Sequence, residues 1–257
     1  MNSKRIVLLV GRAESSNIVY NALKHDFDII RVVEEEPVSR KEFLKRRIKK
    51  LGFLKVTGQL MFRAVVVPLL ALTSRARTAQ IQRDFDLDTT PIPEPILVGV
   101  HSVNDPRTIE TLNQAHPDVI VVNGTRIISA EVLQATQAPF VNTHAGITPL
   151  YRGVHGGYWA MVNQDRANCG VTIHLVDRGI DTGGILAQAS IDPTAEDNFL
   201  TYTYLQLAGG IPRLKVVLYE LVAGRARVQS APLGTSRLWT HPTIWEYLRH
   251  RLIKGVK

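Results

Sequence analysis

The sequence predicts an α/β fold: a Rossmann-like, doubly wound, mostly parallel sheet with helices on both faces and a C-terminal helical extension. Three observations carry that expectation. Arg5-Ile6-Val7-Leu8-Leu9-Val10 is a largely apolar run closed by Gly11, the pattern of a strand buried on both faces of a parallel sheet. A helix running towards Lys24 follows, with Ser15 or Ser16 as its cap, and Phe27 to Val33 supplies the next strand. Further β-rich runs at Ile96 to Val100, Val119 to Val122, Phe140 to His144, Val171 to Val176 and Ile185 to Ile191 alternate with helical stretches. Glu196 to Val222 reads as helical, with a break or kink forced by Gly209, Gly210 and Pro212.

A chain of 257 residues, 45% of them hydrophobic, can bury a large core. The expected organisation is one domain over 1–195, carrying a basic and apolar helical insert at about 38–85, and a helical extension over 196–257 packed on it. The lone Cys169 excludes an intrachain disulfide and a Cys-based zinc cluster, precedes a strand and reads as core; no metal is expected. Polar Asn2, Ser3 and Lys4 before a short strand-like run are unlike a secretory leader, so a cytoplasmic location is expected.

The net charge of +8 favours contact with something anionic, whether a phosphorylated substrate, a polyglutamylated cofactor, nucleic acid or a lipid surface. The charge is concentrated. Arg40 to Lys50 holds seven Lys or Arg against one Glu, and Arg249-His250-Arg251-Leu252-Ile253-Lys254 is basic again.

Ligands of open α/β sheets sit beyond the carboxyl ends of the strands, where Gly11, Asn123, His144 and the turn after Val176 are expected to converge. In Val141-Asn142-Thr143-His144 the side chains alternate, so Asn142 and His144 share a face, and Asp181 on a later Gly-rich turn can join them. An amide, an imidazole and a carboxylate together suit acyl transfer, because they can hold an oxyanion and move a proton.

Three blocks then resemble the folate-dependent formyltransferases, the family of glycinamide ribonucleotide, methionyl-tRNA and sugar-nucleotide formyltransferases and formyltetrahydrofolate hydrolases. Pro117 to Ser129 resembles the strand and loop that wrap the pterin. Asn142-Thr143-His144 matches the Asn-x-His motif, and Gly170-Val171-Thr172-Ile173-His174, leading to Asp181-Thr182-Gly183, resembles the Gly-x-Thr-x-His strand and the loop with the catalytic Asp. The resemblance implies catalysis by Asn142, His144 and Asp181, with Asp181 orienting His144 and favouring its cationic form. It implies that Asn123, Gly124, Arg126, Ile127, Ile128, Asp177 and Gly179 hold 10-formyltetrahydrofolate, the formyl donor. It places a primary-amine substrate near Gly11, Ser15, Ser16 and Asn17 and near Tyr151, Arg152, His155 and His174. His174 is read either as support for the triad or as a satisfied buried histidine, His155 as pocket lining or a plain helix start, and Asp177 with Arg178 as an ordinary turn pair.

The chain departs from the family in two places. After His144 it runs Ala145-Gly146-Ile147-Thr148-Pro149 where the family has Pro-Ser-Leu-Leu-Pro, and its first loop lacks extra glycines and carries Glu14. The first departure implies a remodelled acceptor side and the second disfavours glycinamide ribonucleotide, so the leading expectation is an amino sugar on a nucleotide or lipid. A hydrolase using water in place of the amine, and a folate-binding module without turnover, are the alternatives. Methionyl-tRNA, and nucleic acid generally, are disfavoured because the residues after Glu220 are too few for the C-terminal barrel of those enzymes.

Lys45-Arg46-Arg47-Ile48-Lys49-Lys50 precedes an apolar run, Leu60 to Leu72, that Arg63 and Pro68 interrupt, which argues against a membrane-spanning helix. The favoured expectation is that its apolar face packs on the sheet or in a homodimer. The alternative is peripheral attachment to anionic lipid, assisted by Trp239, Trp245, Tyr247 and Arg249.

Overall fold

The computed structural model describes residues 4–257, with backbone alone for 40–43. The expectations on Asn2 and Ser3, and on the side chains of Arg40, Lys41 and Glu42, fall outside the described residues. Strands β1 (Arg5–Gly11), β2 (Asp28–Glu35), β3 (Leu97–Val100), β4 (Val119–Asn123) and β5 (Phe140–His144) pair in parallel in the order β3-β2-β1-β4-β5. Alternate residues of the apolar β1 run enter different cores. Ile6, Leu8 and Val10 pack on one face with Val121 and Val141, while Val7 and Leu9 pack on the other with Ile120 and Val122. That double burial explains why the run has no polar alternation.

Helix α1 (Glu14–Leu23) is not capped by a serine: Ala13 occupies the cap position. Ser15 and Ser16 lie inside the first turn, where the Ser16 hydroxyl donates back to the Gly11 carbonyl at 2.7 Å. On the opposite face of the sheet, α6 (Pro106–Ala115) and α7 (Ala130–Leu133) bury Leu112, Ala115 and Val132.

The far edge of the sheet reverses direction. A short β6 (Arg152–Gly153) pairs outside the sheet with β9 (Leu238–Trp239), and β7 (Gly170–Leu175) then runs antiparallel to β5, with β8 (Ile185–Ser190) antiparallel to β7. Strand β7 therefore ends beside the start of β5, since the Val176 amide donates to the Phe140 carbonyl. The expectation that the turn after Val176 lies at a shared carboxyl end is thus corrected. The turn reaches the site by folding back over the sheet.

Helix α9 (Thr201–Val222) continues through Gly209, Gly210 and Pro212 without the expected break. Its packing overrides the local breakers: Leu205, Ala208, Leu214, Val217 and Leu218 are buried in the sheet core, and Gly210 is seated against Val171 and Thr143. The proline is accommodated at Pro212, on the exposed side.

The insert is helical, as α2 (Arg40–Leu51), α3 (Phe53–Met61), α4 (Val67–Thr73) and α5 (Arg75–Asp84), with a π-helical turn at Phe62–Val66 joining α3 to α4. Its inward residues Phe62, Val66 and Leu70 do not pack on the sheet. They join a separate aromatic core with Tyr158 and Trp159 of α8 (Gly156–Val162), Phe199, and Tyr247 of α10 (Ile244–Lys254).

Candidate active site

Parallel pairing sets Asn142 of β5 beside Val122 of β4, so the loop leaving β4 borders the end of β5. Antiparallel pairing on the other side sets Asn142 opposite His174 and His144 opposite Thr172. The Asn142 amide meets His174 Nε2 at 3.1 Å, and His174 Nδ1 donates to the Leu175 carbonyl at 2.7 Å, so Nε2 accepts and one amide hydrogen of Asn142 remains available.

Asp181, in a left-handed conformation with φ 51°, closes the group. Its Oδ2 lies 3.4 Å from His144 Nδ1 and accepts from the Gly153 amide at 2.9 Å, and its Oδ1 lies 3.7 Å from His174 Nε2. The turn that returns it is tied down. Asp177 accepts from the Gly179 amide and the Thr182 hydroxyl, and Arg152 donates to the Ile180 carbonyl. Asp177 is therefore paired within the turn, not with Arg178. Gly183 passes so close to the Leu175 carbonyl that a Cβ would fall 1.7 Å from its oxygen.

His144 is buried between two acceptors. Nε2 donates to the Tyr151 carbonyl at 2.7 Å, and Nδ1 faces the Asp181 carboxylate. Burial pushes its pKa below the ordinary histidine range, outweighing the attraction of Asp181 and of the Tyr151 carbonyl. The pull of Asp181 towards the cationic form, expected from the sequence, is present but smaller than the effect of burial. Burial also works against the Asp181 charge, but the neighbouring His174 and His144 rings and the Gly153 amide hold its carboxyl below the usual range. A neutral ring has one hydrogen for two acceptors, so a proton taken at Nδ1 would complete both contacts.

These groups line one cavity of about 480 Å³, with apolar walls at Val122, Ile128, Val171 and Leu207. Of the residues expected at the site, Asn123, Gly124, Arg126, Ile127, Ile128, Asp177, Gly179, Asn142, His144, Asp181, His174, His155 and Ser15 all line it. A family signature described as "Formyl transferase" matches residues 68–204. The chain belongs to the formyl transferase family.

Methionyl-tRNA formyltransferases are similar in sequence: that of Thermodesulfovibrio yellowstonii is 36% identical over 121 residues, covering 47% of this chain and 36% of the relative. That of a Nitratiruptor species is 43% identical over 93 residues, covering 36% and 30%. The chain spans less than half the length of these relatives. In fold it is similar to a sugar N-formyltransferase from a Shewanella species, with TM-score 0.57 and 15% identity, over 91% of this chain and 76% of that one. It is equally similar to glycinamide ribonucleotide transformylase 1 from Symbiobacterium toebii, with TM-score 0.57 and 15% identity, over 89% and 95%.

Five other expected substrate residues stand behind the cavity wall of this formyl transferase family member. Gly11 passes the Gly124 carbonyl, where a Cβ would fall 2.4 Å from the oxygen. Ser16 bonds Gly11 and Asn123, and Asn17 donates to the Thr89 carbonyl. Tyr151 positions His144 through its carbonyl while its hydroxyl donates to Asp165, and Arg152 holds the Asp181 turn. His155 is both a helix start and a wall residue: it precedes α8 at φ 58°.

Several positioning residues escape the sequence reading. Buried Glu35 accepts from the amides of Arg126 at 2.6 Å and Val103 at 2.9 Å. Asn104 clamps the same loop, donating to the Ile127 carbonyl and accepting from the Ser129 amide. The Arg126 guanidinium donates to the carbonyls of His101 and Glu36. Thr172 donates to the Gly146 carbonyl and accepts from the Thr148 amide and Gln188. Its place in the Gly-x-Thr-x-His motif was the available signal. Glu35 had none, since an acidic residue at a strand end looks like any solvated one.

Proposed function

We propose that this chain is a 10-formyltetrahydrofolate-dependent N-formyltransferase acting on the primary amine of a small molecule, an amino sugar carried on a nucleotide or lipid. The observation that carries the reading is the closed group Asn142, His174, Asp181 and His144 at a cavity whose opposite wall is the clamped loop after β4. The cavity lies in the range that encloses a ligand of roughly 300–1,000 Å³. Its apolar walls beside the peptide groups of Gly124 to Ile128 suit a flat heteroaromatic ring with polar edges. The donor, when bound, supplies an electrophilic formyl carbon. The acceptor amine would form a bond to that carbon as the bond from the carbon to the donor nitrogen breaks. Asn142 would offer its remaining amide hydrogen to the formyl oxygen, and His144, its charge steadied by Asp181, would take the proton the amine loses and return it to the departing nitrogen.

A second groove, of about 560 Å³, adjoins the cavity and shares Ser15, Thr203 and Leu207 with it. Glu14, Arg75, Thr78, Gln82 and Tyr204 place hydrogen-bonding groups along its otherwise apolar wall, which a sugar acceptor could use. The Glu14 carboxylate, accepting from Gln82 and Tyr204, argues against a phosphate at the start of α1.

The test is tetrahydrofolate release against a panel of nucleotide-linked amino sugars, glycinamide ribonucleotide and methionyl-tRNA. Release should depend on an amino sugar, and Asn142→Ala, His144→Ala and Asp181→Ala should each lower kcat by roughly a hundredfold or more. Turnover retained in these variants rejects the chemistry. Release without any amine identifies a hydrolase, and donor binding without release identifies a binding module.

A further inference from the structure

We infer that the outward face of the insert, together with α10, docks this protein on an anionic lipid surface. The helix Phe53–Thr73 is apolar on both sides. One side is the core stripe of Val56, Phe62, Val66 and Leu70. The other carries Phe53, Leu54, Met61, Val65, Leu69 and Leu72, which stand 67%, 76%, 46%, 49%, 57% and 60% exposed. Water-facing positions of a surface helix are ordinarily polar, so a stripe like this marks a surface for something else.

The stripe continues onto α10. The Trp245 ring lies over Gly58, where a Cβ would fall 2.2 Å from the ring, and Trp245, Leu248 and Leu252 are exposed along one side of α10. The bare Gly58 therefore joins two apolar helix faces into one.

Charge decides the occupant. From Phe43 to Arg83 the chain carries ten of its 31 Lys and Arg and none of its 23 Asp and Glu, so the insert accounts for the basicity of the whole chain. Lys45, Arg46, Lys49 and Lys50 are exposed on α2, which leads directly into Phe53 and Leu54. Two copies meeting through this face would set like charges together, whereas a bilayer with acidic headgroups satisfies both the cations and the apolar stripe. Spanning the bilayer would expose Phe62, which packs on Phe199 and Tyr247 at 4.9 and 5.2 Å, so the helix lies along the surface. The acceptor groove is lined by Ala71 and Ser74 at the end of the same helix, which would open it towards a lipid-linked substrate.

The inference does not depend on turnover, and vesicle co-sedimentation of the full chain tests it. The protein should pellet with phosphatidylcholine vesicles containing phosphatidylglycerol, should not pellet with phosphatidylcholine alone, and should be released by high salt. Lys49→Gln with Lys50→Gln should weaken partitioning roughly thirtyfold at low salt. Leu69→Glu with Leu72→Glu should abolish it while far-ultraviolet circular dichroism and Tm are unchanged, because both side chains are already in water. Failure of the wild-type protein to pellet with anionic vesicles at low salt overturns the inference. So does pelleting that survives the Leu69 and Leu72 changes, or a concentration-dependent dimer that those changes dissociate.

Discussion

At the scale of single residues, the site is a set of polar groups each supplied with a partner by another element. Glu35 is the clearest case, because a carboxylate at the end of β2 organises a loop that follows β4 through two backbone amides. Removing it leaves those amides to find other acceptors and lets the loop move, without touching His144 or Asp181. Glu35→Ala should therefore raise the KM for the formyl donor about tenfold and change kcat little, a shift of about 1.4 kcal/mol in donor binding. Steady-state kinetics with the donor varied would check this; a fall in kcat at unchanged KM would place Glu35 in the chemistry instead. The sequence made Asn142, His144 and Asp181 legible because motif and strand alternation are local properties. Glu35 was illegible because its role depends on a partner 91 positions away.

At the scale of elements, the helices are set by close approaches that only small residues permit. Gly58 is such a point, since Trp245 of α10 occupies the space of its missing side chain. Gly58→Val should force α10 away from α3 and destabilise the fold by about 1–3 kcal/mol, as overpacked sites do. Combining it with Trp245→Ala should recover part of that loss, so the two changes should be non-additive in denaturant melts. Additive losses would mean that the contact does not hold the two helices together. The unbroken α9 teaches the converse lesson: Gly209, Gly210 and Pro212 are breakers by propensity, but a helix that buries Leu205, Leu214 and Leu218 on a sheet survives them.

At the scale of the whole molecule, neutral buried histidines make stability depend on pH. Burial depresses His144, drives His155 well below its ordinary range, with His241 and Arg63 adding to the effect, and brings His241 down to about 4. The sign follows from which state holds more protons. Below the ordinary value of about 6.5 the unfolded chain protonates these rings while the folded protein does not, so stability is full above that pH and declines as pH falls towards each folded value. Each histidine contributes a slope of up to about 1.4 kcal/mol per pH unit in that window. Tm should thus fall between pH 7 and 5, before most carboxylates titrate, and His241→Asn should flatten the curve. A Tm independent of pH across this range would contradict the buried, neutral assignment.

The sequence by itself determined the strands of the main sheet, the burial of β1 on both faces, the shared face of Asn142 and His144, and the existence of a basic, apolar insert. These follow from periodicity and composition, which report how each segment meets its immediate surroundings. Tertiary structure alone decided that β7 runs backwards, that the Asp181 turn folds over the sheet to reach His144, that burial outweighs the pull of Asp181 on that ring, and which side of the insert faces water. Those outcomes turn on contacts between segments far apart in the chain, where the free energy of one side chain depends on what another element brings against it.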